Sequence, residues 1–597
     1  MSNSSSLPPL PPPTNPLVTA LLTDLYQITM TYAHWKNNRH QDPAVFELFF
    51  RENPFQGEYT IFAGLDECLK FLTHFSFSES DAEYLKTGVP ALKQCDPAFF
   101  DWLVQDVNAN QVRVHAMRDG TVVFPRLPLL IVEAPLGVGQ LLETTLLTLV
   151  NYPSLLATNA ARMVRAATQA RKKVAQQALR HAPSSSSIAS LNKDASSSAI
   201  FFQQAELPAQ CYKTPVCIEF GLRRAQGPDG GMTASKYAVL GGFVGTSNVQ
   251  AGKHFGVKLS GTHAHAFVQA YSSLDEVKEL SITNRDTKED VTLLPKVLEY
   301  RHKLSCEVNQ RYKTTNDGEL AAFIAYAVAF PETFLCLIDT YDTLQSGLFN
   351  FILVALVLDD CGYTPLGIRL DSGDLAFLSM ECAKTFASVA TYDARRSFFH
   401  ELTIVASNDI NEKILHSLHD QGHAITSFGI GTNLVTCQAQ PALGCVYKLV
   451  EISGKPRMKL SQDIVKVLIP GRKKPYRLFG KEGYPLLDVM LLENEDQPIV
   501  GERILCRHPF FQRKMVVVTP SAVEPLHRLV FDQGNAIECN NRSLMEARTA
   551  VIEQLDKFRP DILRYVNPTP YKISVSSQLY DYFVELWQNE TPVMEMS

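Results

Sequence analysis

Between residues 215 and 450 the chain repeats one pattern: a short apolar run, a glycine or polar punctuation, then a segment with helical spacing. The runs are PVCIEFG, GGFVGTSN, GVKLSGT, TFLCLIDT, PLGIRLDSG, LTIVASND, AITSFGIGT and LGCVYKLV. Apolar runs without polar alternation belong to strands covered on both faces, and intervening helices supply that cover, so the strands are expected to be parallel. About eight such units in succession predict an irregular, TIM-like α/β barrel. A doubly wound open sheet shares the local pattern and stays the alternative. Residues 17–150 mix helices with short strands, and residues 453–597 alternate as exposed strands do before a helix around LMEARTAVIEQLDKF. N- and C-terminal α/β domains are therefore expected to flank a barrel over 151–452. A chain of 597 residues is too long for one hydrophobic core, which agrees.

Two stretches fall outside the rhythm. Residues 1–16, MSNSSSLPPLPPPTNP, lack the basic-then-apolar order of a signal peptide and read as a disordered Pro-rich tail. SSSSIASLNKDASSSAIFFQQ, within about 173–212, is Ser-rich and reads as a mobile insertion in a surface loop. A net charge of -6 argues against nucleic acid as the main ligand. Twelve cysteines with no CxxC pair read as reduced, buried thiols of a cytosolic protein. The apolar stretch AAFIAYAVAFPETFLCLI is broken by Pro331 and Glu332, so no membrane span is expected.

In a parallel α/β fold the residues just beyond the strand C-termini share one face and build the site. Here they are Glu219, Arg223, Ser247, Thr262, His265, Asp339, Arg369, Asp371, Asn408, Gly429, Gly431 and Thr432. Asp342, Asp374 and Asp409 each precede a helical run and read as N-caps. In SFGIGTNLVT, Gly429 and Gly431 would let backbone N–H groups approach a phosphate, with the Thr432 hydroxyl beside them. GIRLDSGD supplies Arg369, whose guanidinium can fork onto a carboxylate or phosphate, and Asp371, which can hold a ribose hydroxyl or a magnesium ion. A mutual salt bridge is their structural alternative. EFGLRRAQGPDGG places Arg223 in a Gly-rich loop suited to an anion.

Two further patterns read as decoys. Asp359 and Asp360 form an acidic pair able to hold a sugar diphosphate, but helical spacing runs from DTLQSGLFNFI into them, so they read as a solvated helix end. His263 and His265 in GTHAHAF could bind a divalent metal, yet LTIVASND and SFGIGTN lack the further histidines such a centre needs. On a helix beginning near Thr262 the two rings would point roughly 200° apart, so only one could face a ligand.

Taken together, LLTDLYQITM, ETTLLTLVNYPSLLATNAAR, EFGLRRAQGPDGG, GGFVGTSNVQAGK, GTHAHAF, DTYDT, IRLDSGD, FGIGTNLVT and KPRMKLSQD closely resemble the nicotinate phosphoribosyltransferases. The resemblance implies a type II phosphoribosyltransferase: an irregular α/β barrel with flanking domains, working as a homodimer with active sites shared across the interface. It implies that nicotinate and phosphoribosyl diphosphate are joined with ATP as co-substrate and Mg2+ as cofactor. His265 matches the histidine that ATP phosphorylates, and Asp371 lies in the catalytic motif beside Arg369. Tyr26 matches an aromatic that stacks on the pyridine ring from the other subunit. Thr262, Arg369 and Phe220 match nicotinate contacts, and Ser247 stands where nicotinamide-using relatives carry an aspartate. Thr432 matches a sugar-phosphate contact; Arg223, Asp339, Gly429 and Gly431 lie in the matching phosphate-side motifs. The chain departs from the family pattern at His263, usually not His, and at Ala266, where Ser often follows the catalytic histidine. In MRDGTVVFPRLPLL it carries Arg118 and Arg126 where acidic residues are usual. A nicotinamide-using enzyme and a non-catalytic homologue remain the alternative readings.

Overall fold

The structure, a computed structural model, describes residues 10–181, 207–459, 466–537 and 541–590, with residues 169–181 described as backbone only. The expected Ser-rich insertion falls largely on 182–206, outside the described residues. Its N-terminal part differs from expectation, because the helix Glu143–His181 continues through residue 173. The expected tail also ends sooner: Thr14 donates from its backbone N and its Oγ1 to the Glu67 carboxylate at 2.9 and 2.7 Å.

The chain divides into two compact units, Met1–Ala161 with Lys236–Gly242 and Thr436–Ser597, and Arg162–Ser235 with Phe243–Val435. The second unit holds the rhythmic region. Its sheet consists of β1 (Val216–Glu219), β2 (Gly245–Thr246), β3 (Leu335–Leu337), β4 (Gly367–Leu370), β5 (Thr403–Ser407) and β6 (Ser427–Ile430). All are parallel, in the order β3-β4-β5-β6-β1-β2. The run GVKLSGT adds only a parallel bridge from Leu259 to Thr246. Among the described residues no ladder joins that segment to β3, so the sheet is open there.

Short apolar strands and well-capped helices explain this unit locally. Asp342 and Asp374 cap helices as expected, Asp342 accepting from the N–H groups of Leu344 and Gln345 and Asp374 accepting from Phe377 N. Asp409 does not: Asn411 caps the helix Glu412–Gln421, while Asn408 and Asp409 hold positive φ of 105° and 47° at the end of β5. The segment Thr343–Asp360 has the length and mean hydropathy, 1.3, of a membrane span, but 72% of it is buried inside the protein as the β3–β4 crossover. Its end is not simply solvated, because Asp359 and Asp360 pair with the buried Arg396.

The eighth run departs from the expected series. Val446–Ile452 pairs antiparallel with Pro43–Phe49 in the first unit. Only the five-residue helix Thr432–Thr436 follows β6, too little to cross over and cover a parallel neighbour. That antiparallel sheet joins strands from 43–135, 446–456 and 528–536. The flanking regions, read as two domains from the sequence, thus share one sheet. A second six-stranded sheet of the same unit is edged by Met515–Val518 and centred on Pro485–Leu492 and Ile573–Val575. Nine of the eleven described cysteines are buried, in keeping with thiols that pack as small apolar groups.

Candidate active site

At the end of β4, Arg369 is held from two sides. Its Nε donates to Ser407 Oγ at 2.8 Å and its Nη2 to Asp371 Oδ1 at 3.0 Å. The guanidinium carbon lies 5.3 Å from the centroid of the Phe220 ring, within cation–π range. No hydrogen bond from Nη1 is formed among the described residues, so one edge of a fixed, planar cation faces outward. Ser407 also donates to Asp371. The salt bridge read as a structural alternative therefore exists, and it orients the arginine without using up its donors.

Asp371 links this pair to its neighbours. Its backbone N donates to Asp339 Oδ2 at 3.1 Å, and its Oδ2 lies 3.8 Å from His265 Nε2. His265 is the first residue of the helix His265–Gln269, and its Nδ1 pairs with Thr340 Oγ1 at 3.1 Å. Asp339 Oδ1 is buried with no hydrogen-bond partner. Arg369, Asp371, Asp339, His265 and Phe220 thus form one connected group. Thr340 and Ser407, which sequence reasoning missed, orient it; Ser407 is the last residue of β5 and Thr340 lies just beyond β3, and that position was the available signal.

The other expected residues are arranged less tightly. Gly429 lies inside β6, and a Cβ there would sit 2.3 Å from the Phe220 ring. That glycine makes room for the ring, a packing role beside its reading as a phosphate-approach position. Gly431 follows the strand, and Thr432 opens the helix Thr432–Thr436. Ser247 is exposed, and its backbone N donates to Glu219 O at 2.9 Å. Arg223 is exposed on the short turn Leu222–Arg224, and Thr262 Oγ1 donates to His263 O at 3.4 Å. Tyr26, 48% exposed, belongs to the first unit. Glu219 is fully buried, taking hydrogen bonds from Ser235 and Thr246. It braces the ends of β1 and β2 and offers no oxygen to a ligand.

The paired histidines separate as expected, though by a different geometry. Residues 261–264 form no helix, with Ala264 extended, and the helix begins only at His265. His263 turns inward, 4.8 Å from the Tyr326 ring and 5.4 Å from Phe267. Its Nε2 accepts the Leu337 N–H at 3.3 Å, which ties the open side of the sheet to β3. Burial pushes its pKa down to about 4, so the ring stays a neutral acceptor near pH 7.

Behind Asp339, fully buried Glu319 accepts from Asn350 Nδ2 at 3.0 Å and from Ser346 Oγ. Burial, reinforced by Asp339 and Asp342, pushes its pKa up to about 7. A raised carboxyl pKa means stability present below the unfolded value, ~4.3, and lost as pH rises through about 7. Glu319→Gln copies the neutral form. It is expected to flatten the fall in stability between pH 5.5 and 8 and to be the more stable protein at pH 8, by about 3 kcal/mol. Urea unfolding at the two pH values checks this; parallel pH dependences would refute it.

Models of the nicotinate phosphoribosyltransferase family match most of the sequence: the N-terminal domain over residues 21–151, the family itself over 216–478 and the C-terminal domain over 472–583. Nicotinate phosphoribosyltransferase 1 of Arabidopsis thaliana is 48% identical over 589 residues, covering 98% of this chain and 96% of that one. The chain belongs to the nicotinate phosphoribosyltransferase family. The Homo sapiens member is 38% identical over 96% of this chain and 97% of its own length. The crystal structure of human nicotinic acid phosphoribosyltransferase superimposes with a TM-score of 0.77 at 37% identity, covering 94% of this chain and 99% of that one. A nicotinate-nucleotide pyrophosphorylase from Pyrococcus furiosus, 18% identical with a TM-score of 0.51, shares the fold.

Proposed function

We propose that this protein transfers the 5-phosphoribosyl group of phosphoribosyl diphosphate to nicotinate, giving nicotinate mononucleotide and diphosphate, with ATP hydrolysis coupled through phosphorylation of His265. The observation that carries the reading is Arg369: a guanidinium held by Ser407 and Asp371, over the Phe220 ring, with an edge left over. A flat aromatic carboxylate suits that arrangement, because the fork takes the carboxylate and the ring takes the pyridine face. Six parallel strands, extended by the Leu259 bridge and with His263 accepting from Leu337 N–H across the open side, are in keeping with an irregular α/β barrel.

In the reaction the pyridine nitrogen attacks the ribose C1 as the C1–O bond to diphosphate breaks, through a cation-like ribose. Arg369, Phe220 and Thr262 fix the ring, which lowers the entropic part of the barrier. Arg223 and the Gly431–Thr432 helix start face the anionic groups. Asp339, with its unpartnered oxygen, and Asp371 would hold a magnesium ion. Among the described residues no three acidic, His or Cys side chains form a protein-only cage. When bound, magnesium would neutralise the departing diphosphate. Tyr26, exposed on the helix Leu25–Lys36, is available to stack on nicotinate in the partner of a homodimer. Free thiol chemistry and the salvage role suit a cytosolic enzyme.

Acid is preferred to amide because Ser247 brings no charge where a carboxylate would repel nicotinate. Purified protein with ATP, magnesium, phosphoribosyl diphosphate and either base is expected to form nicotinate mononucleotide far faster than the amide product. Ser247→Asp should raise KM for nicotinate by roughly ten-fold or more, from ~1–4 kcal/mol of screened repulsion. Efficient nicotinamide turnover by the unaltered protein would overturn the assignment.

A further inference from the structure

The first unit contains a cleft of about 700 Å³, within the ~300–1,000 Å³ typical of small-molecule sites, and no residue assigned to catalysis lines it. One wall is the loop between the strands Ile504–Arg507 and Met515–Val518; the other is Phe124–Arg126 with residues 570–574. The loop is fixed from within, since His508 Nδ1 accepts from the N–H groups of Phe510 and Phe511 at 3.1 and 3.2 Å. Phe124 stacks on Tyr571 with centroids 3.9 Å apart, so the facing wall is rigid as well.

The lining is cationic and aromatic together. Arg126, Arg513, Lys514 and Lys572 line the cleft against one carboxylate, Glu58, whose pKa burial pushes up. Arg513, Lys514 and Lys572 have no ion-pair partner among the described residues. The chain as a whole carries -6, so this is a local reversal of sign. Arg126 places its guanidinium carbon 4.3 Å from the Phe510 centroid and does so with a φ of 71°. A left-handed backbone is unfavourable for a non-glycine residue, by ~1 kcal/mol or more, and persists where the surroundings impose it.

We propose that this cleft binds a nucleoside phosphate at a site separate from the catalytic group. The Arg513 guanidinium and the Lys514 and Lys572 ammonium groups suit phosphate oxygens, and Phe511, half exposed and with Lys514 Nζ 4.6 Å from its centroid, offers its remaining face to a flat base.

The probe is 8-azidoadenosine 5′-monophosphate, photolysed with the full-length protein and mapped by peptide mass spectrometry. Label is expected on peptides carrying Phe510–Lys514 or Tyr571. Adenosine 5′-monophosphate should compete at least tenfold better than adenosine or orthophosphate. Arg513→Glu/Lys514→Glu should lose this label at least tenfold while nicotinate turnover stays within about twofold, and Phe511→Ala should weaken it independently. Label confined to peptides from 216–432, or cleft label that survives the double charge reversal, would overturn the proposal. So would orthophosphate competing as well as the nucleotide, because the rings would then have no part.

Discussion

Replacing Arg369 with alanine is expected to lower kcat/KM for nicotinate by about 10²–10³-fold, the loss of roughly 3–4 kcal/mol carried by one buried, charge-assisted carboxylate contact. The geometry sets the size of the effect. Two of the three guanidinium nitrogens are committed to Ser407 and Asp371, so the arginine does not search for its ligand when nicotinate arrives. Arg369→Lys should recover little, since an ammonium cannot hold Ser407 and Asp371 and still present a donor edge. Ser407→Ala removes only the brace on Nε and should cost about tenfold, mostly in KM. Loss in the alanine variant should be far smaller with nicotinamide, which has no carboxylate to grip. Equal losses for the two bases would mean that Arg369 supports the loop and does not read the acid.

These residues also mark what local sequence pattern carries and what it leaves out. The parallel strands were legible because burial on both faces writes itself into consecutive residues. Arg369 and Asp371 were legible because alternate residues at a strand end share a direction. Pairing across hundreds of residues leaves no local trace, so Val446–Ile452 read as a further parallel unit when it joins Pro43–Phe49. Gly429 read as a phosphate glycine, and its packing role was hidden because a packing glycine has the same letter; only the Phe220 ring in its missing Cβ space reveals it. Asp409 and Asn411 are both competent caps, and the positive φ of Asn408 and Asp409 moves the helix start to the second. The supporting roles of Thr340 and Ser407 depend on side-chain angles, which no spacing rule encodes.

The two histidines of GTHAHAF should separate cleanly in one experiment. With ATP and magnesium the protein is expected to gain an acid-labile phosphate, absent from His265→Ala and retained by His263→Ala. His265 has the exposure and the orientation for this: Thr340 holds Nδ1, and Asp371 lies 3.8 Å from Nε2, close enough to respond to a change of charge on the ring. His263 has neither, since its Nε2 is occupied by the Leu337 N–H and its ring is enclosed by Phe267 and Tyr326. Its variant should instead show lower stability. Truncation strands a buried backbone donor, worth ~1–3 kcal/mol, and leaves a hole among aromatic side chains. His265→Ala, at a half-buried helix start, should change the unfolding midpoint less while abolishing ATP coupling. Phosphate mapped to His263, or ATP consumed during nicotinate turnover with no phosphate ever found on the protein, would sink the assignment. An unfolding midpoint unchanged in His263→Ala would equally remove its role in tying the open side of the sheet to β3.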